Sequence, residues 1–131
     1  MEQKSNESTP NRPEGSRVLD ANLVEMDLNG FIQKLRTEPA WISGDRNTVT
    51  VFKSESMRIV LLGLHQGAEL KSHKANGVIS VQVLEGQVEF STDLQTCLLG
   101  KGQMIALHEN IMHSVQARVE SFFLLTLSIN K

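Results

Sequence analysis

The four histidines at positions 65, 73, 108 and 113 are the side chains best placed to do chemistry near neutral pH. An imidazole can ligate a metal, carry a proton or hydrogen-bond a ligand within that range. Three of the four sit in regular settings. Gly67 is followed after five residues by His73, and Gly86 closes the run that comes after it. Gly102 is followed after five residues by His108, then by Asn110 and, three residues further on, by His113. His65 precedes the Gly67 turn, where exposure is expected, and it is given no role. Other catalytic patterns are thin. The acids Glu69, Glu85, Glu89, Asp93 and Glu109 lie beside turns or on mixed strands and read as a solvated face. Ser72 adjoins His73, which on a strand sends the two side chains to opposite faces and works against a nucleophile-base pair. The stretch "GKG" at 100–102 lacks the spacing of a phosphate-binding loop.

The elements that must carry these histidines follow from periodicity. Residues 1–16 are rich in Ser, Asn, Glu and Pro with no apolar face, and read as a flexible polar tail. Residues 17–46 form an N-terminal arm. In it Leu28, Phe31, Ile32 and Leu35 recur at helical spacing, predicting one amphipathic helix over about 28–37. Asp27 is its candidate N-cap, and the Glu38-Pro39 pair stops it. From 47 to 131 the chain is a succession of short β-like runs, "TVTVF", "MRIVLLGL", "VISVQVL", "QVEFS", "TCLL", "QMIAL", "MHSVQAR" and "FFLLTLSI", broken by Gly, Asn, Asp and Ser. No long helix separates them, so the expected class is all-β, a sandwich or barrel with hairpin connections behind a short helical arm. Trp41 is expected to pack that arm onto the barrel.

The glycine and histidine spacing resembles the two motifs of the cupin superfamily, whose fold is a double-stranded jelly-roll β-barrel. The first motif runs Gly, five residues, His-x-His, three or four residues, Glu, six residues, Gly. Here Gly67, His73 and Gly86 match it, while Ala75 stands for the second His and Ile79 for the Glu. The second runs Gly, five residues, Pro-x-Gly, two residues, His and, three residues on, Asn. Gly102 and His113 match it, whereas His108, Asn110 and Ala117 replace Pro, Gly and Asn. Asn110 for Gly is mild, because Asn tolerates the left-handed turn conformation.

The resemblance implies a site for iron, manganese, zinc or nickel held by three His and one Glu. Of that set only His73 and His113 survive. Two imidazoles without a carboxylate do not make a non-haem iron face, and catalytic zinc takes three protein ligands. No cofactor is therefore expected. Alternation puts Ile79, Val81 and Val83 on the face the Glu would have used, so the expected pocket is apolar and lined by His73, Ala75, Ile79, Val81, Val83 and His113. For His73 and His113 two readings stand: a facing pair across the barrel that hydrogen-bonds a polar or anionic ligand, or half-buried histidines satisfied by backbone. A third reading adds His108 to make a three-histidine metal set with His73 and His113.

Bulk properties narrow the partners. A chain of 131 residues holds one domain, and 40% apolar with 21% charged residues is ordinary globular composition. A net charge of −2 offers no basic field to nucleic acid. Cys97 is the sole cysteine, so no intrachain disulfide forms, and its ordinary reading is a small buried hydrophobe. No apolar run is long enough for a bilayer span, and the default location is cytoplasmic. The leading expectation is a single-domain cupin that binds a small organic molecule without a full metal site and without an assigned reaction. The alternatives are a metal-dependent dioxygenase or isomerase with a reduced His-only site, and a structural or ligand-sensing barrel. The resemblance also implies a homodimer, with the N-terminal strands and helix as its contacts.

Overall fold

The computed structural model describes residues 18–129, so the polar tail expected at 1–16 lies outside the described residues. Asp27 has extended backbone and accepts a hydrogen bond from the Gly30 N–H at 3.1 Å, which starts helix α1 (Leu28–Leu35). The expected helix ran to residue 37; the observed one is capped at Arg36. Pro39 then opens a second short helix, α2 (Pro39–Ser43), which periodicity did not suggest, since proline is tolerated at a first helical position.

Nine strands follow: β1 (Arg46–Lys53), β2 (Met57–Leu64), β3 (Glu69–His73), β4 (Ile79–Glu85), β5 (Gln87–Thr92), β6 (Thr96–Gly100), β7 (Met104–Leu107), β8 (His113–Ala117) and β9 (Ser121–Ser128). They form a five-stranded sheet in the order β1-β2-β9-β4-β7 and a four-stranded sheet in the order β3-β8-β5-β6, antiparallel throughout. This is the double-layered jelly roll expected from the runs and turns. One strand was missing from those runs: β3 is polar and largely exposed, and pairs with β8 alone.

The near-continuous apolar runs of β2 and β9 have a physical cause: both faces of these central strands are covered. Val60, Leu62 and Leu64 of β2 and Phe123, Leu125 and Leu127 of β9 face the barrel interior, with Val81, Val83, Val88, Phe90 and Val115. Ile59 and Leu61 of β2 with Phe122 and Leu124 of β9 face outward, under a second cluster made with Ile32, Leu35 and Trp41 of the arm. Arg36 fastens that layer, with its guanidinium 4.5 Å from the Phe122 ring centre and 3.0 Å from both Glu85 and Glu120.

The motif glycines Gly67, Gly86 and Gly102 all have left-handed φ angles, of 85°, 88° and 84°. Asn110 is the only non-glycine residue with positive φ among the described residues, at 62°, as its place in the second motif led one to expect. The β2–β3 connection lies at one end of the barrel. The start of β2 and the end of β3 therefore meet at the other, called the mouth below. There the loop after β3 is tied to the loop before β8 by a 2.8 Å hydrogen bond from the Asn110 N–H to the Ala75 carbonyl.

Candidate functional site

His73 ends β3 and His113 begins β8, and the two are register partners at the mouth, side by side on neighbouring strands of one sheet and not across the barrel as expected. A regular β3 would not achieve this. Leu70 pairs with Val115 and faces the interior, so His73, three residues on, would face out. A bulge between Leu70 and His73 adds one residue and turns His73 to the side of His113. The ring centres are 4.4 Å apart with their planes inclined at 59°. His113 is 4% exposed, whereas His73 is open to solvent. Phe90 lies nearly parallel to the His113 ring, with centres 5.5 Å apart.

Both imidazoles are oriented by their own backbone. Nδ1 of His73 is 2.8 Å from the Lys71 carbonyl, and Nδ1 of His113 is 2.9 Å from the Ile111 carbonyl. A carbonyl oxygen only accepts, so each Nδ1 carries the proton and donates it. An uncharged ring held in this way keeps its lone pair on Nε2. The pKa of His113 lies below the ordinary histidine value: burial lowers it most, the Ile111 carbonyl opposes, and the neighbouring His73 lowers it further. His113 is accordingly neutral at physiological pH.

The other expected site residues divide. Ile79, Val81 and Val83 face inward but are packed core, at most 3% exposed, and Ala75 packs beside them. The free space lies further round the mouth. It is a pocket of about 240 Å³ lined by Phe90, Thr92, Gln95, Cys97 and residues Ile105, Ala106 and Leu107 of β7. Cys97 packs against the core at intermediate burial and also lines this pocket. No local sequence pattern marks this wall, because it depends on the edge strands β6 and β7 facing each other across the two sheets.

The three-histidine set does not assemble. His108 is exposed in the loop before β8, and among the described residues no three His, Cys, Asp or Glu groups converge on a common point. The donor set offered by His73 and His113, with Ala75 and Ile79 in the places of two further ligands, does not fit a transition-metal centre. His65, expected to be exposed, is instead half-buried at the far end of the barrel. Its ring stacks on Trp41 at 3.7 Å, its Nε2–H donates to the Trp41 carbonyl at 2.9 Å, and Glu120 approaches its Nδ1 at 4.0 Å. Glu85 and Glu89 are ion-paired on the surface with Arg36 and Arg118, each at 3.0 Å.

No family model and no curated protein matches the sequence. Solved structures do. A conserved protein of unknown function from Streptococcus pyogenes aligns with a TM-score of 0.68 at 23% identity, over 86% of this chain and 92% of its own. A cupin superfamily protein from Desulfitobacterium hafniense aligns at 0.63 and 15% identity, over 65% of this chain and 78% of its own. An RmlC-like cupin from Shewanella frigidimarina aligns at 0.63 and 18% identity, over 69% of this chain and 81% of its own. Identities this low speak for the fold alone. No helix among the described residues is long and apolar enough to cross a membrane.

Proposed function

This chain is a cupin by fold, and we propose that the mouth of its barrel binds a small organic molecule through His73 and His113 without a metal. One observation carries the reading: two facing imidazoles, each pinned at Nδ1 by a backbone carbonyl, beside a half-open and largely apolar pocket of about 240 Å³. Pockets of this kind use a few placed polar groups to orient a ligand and apolar walls to hold its body. No carboxylate or thiol joins the pair as a third donor among the described residues, which favours binding over metal-assisted turnover.

The test is a thermal-shift screen of chelator-treated protein against sugars, aromatic acids and keto acids. A ligand specific for the native state raises the melting temperature by mass action, and the shift disappears in His73→Ala. Near-stoichiometric transition metal in the purified protein, lost in both His73→Ala and His113→Ala, would overturn the proposal. Homodimerisation through the arm belongs to the same reading, supported by Leu23 and Ile42, which stand 86% and 71% exposed on it. Light scattering on the eluting protein decides that point.

A further inference from the structure

Arg58 occupies an unexpected place. Alternation along β2 sends Val60, Leu62 and Leu64 into the barrel and Ile59 and Leu61 out of it. β2 pairs with β9 without a break from Met57 to Leu64, so the same alternation places Arg58 on the inward face, opposite Leu127. Its Nε is buried and has no hydrogen-bond partner. A guanidinium N–H left unpaired out of water is costly, and such donors are ordinarily met by an acceptor.

The register carries one layer right round the mouth. Lys53, Arg58, Leu127, Ile79 and Leu107 succeed one another across the five-stranded sheet. His73, His113 and Thr92 do so across the four-stranded sheet. This layer contains two basic side chains, Lys53 and Arg58, two imidazoles and no carboxylate. The Arg58 guanidinium weighs further against a metal dication at the pair.

We propose that Arg58 anchors the carboxylate of the ligand, and that the ligand is a small apolar hydroxycarboxylic acid; this deepens the reading of the mouth as a ligand pocket and rests on it. Two features select that class. A guanidinium fork matches a carboxylate in geometry and charge. The Nε2 lone pairs of His73 and His113 accept only, so they call for a ligand hydroxyl that donates. The wall of Phe90, Ile105 and Leu107 takes the apolar body.

Titration calorimetry with four probes tests this: mandelate, phenylacetate, which lacks the hydroxyl, mandelamide, which lacks the charge, and phenyl phosphate. Wild-type protein is expected to bind mandelate roughly tenfold more tightly than mandelamide, the scale of one charge-assisted hydrogen bond. Arg58→Gln removes that preference while leaving mandelamide binding in place, and His73→Ala brings mandelate down to the level of phenylacetate. Equal binding of acid and amide by the wild type, an acid preference that survives in Arg58→Gln, or tighter binding of phenyl phosphate overturns the anchor and leaves the pocket standing. If none of the four binds, the anchor falls, and the pocket reading falls with it only when the thermal-shift screen is blank as well. Should Arg58→Gln fail to fold, the wild-type ratio of acid to amide decides alone.

Discussion

The His113 ring lies almost parallel to that of Phe90, inclined by 14°, while His73 flanks it from the neighbouring strand. This enclosure makes the imidazole easier to keep neutral than to charge, and so ties stability to pH. The folded pKa is lowered, chiefly by burial, so below the ordinary value of 6.5 the unfolded chain takes up the proton more readily than the folded one. Stability from this group is complete above that value and is lost as pH falls from it toward the lower folded value. Melting temperatures measured from pH 8 downward should therefore begin to drop near 6.5, and His113→Asn should flatten that part of the profile.

Arg36 joins the arm to the barrel by charge and by its position over Phe122. The ion pairs are more than a third exposed and screened by solvent, so each contributes little. With the cation–π contact added, Arg36→Ala is expected to cost about 1 kcal/mol in urea unfolding. Arg36→Ala should also narrow the difference in stability between low and high salt.

Gly86 stands between β4 and β5 with a φ of 88°, and a Cβ there would run into Ser121 Oγ and the Glu120 carbonyl. Gly86→Ala meets both a backbone penalty and a clash, and should lose about 2 kcal/mol or more. Gly67 has a similar φ but open space around its Cβ position. Gly67→Ala should therefore cost less than Gly86→Ala, a comparison that separates backbone strain from collision.

Cys97 lines the mouth pocket at intermediate burial, with the Gln95 side-chain amide 3.5 Å from its Sγ. A small maleimide should label it, and a pocket ligand should slow that labelling several-fold by exclusion. Mass spectrometry of the single thiol gives the rate directly.

What could be read in advance follows from how local each signal is. Asp27 and the stripe of Leu28, Phe31, Ile32 and Leu35 are neighbours in sequence, and the cap and helix they announce were legible. The pairing of His73 with His113 came from motif spacing, since nothing in the polar "ELKSH" marks a strand, let alone one with a bulge. Arg58 is the one charged residue in "MRIVLLGL". Its place inside the mouth follows only once the parity of Val60, Leu62 and Leu64 is known. His65 and Trp41 are 24 residues apart and meet because a helix folds back over the sheet. No local pattern encodes that contact.

Trp41 is the only tryptophan in the chain, and it is stacked against His65 on the outer layer, away from the mouth. Its emission is thus an optical gauge of one event alone, the seating of the arm. Fluorescence can follow the arm lifting off while the pocket is filled or emptied, so the two processes can be watched separately in the unlabelled protein.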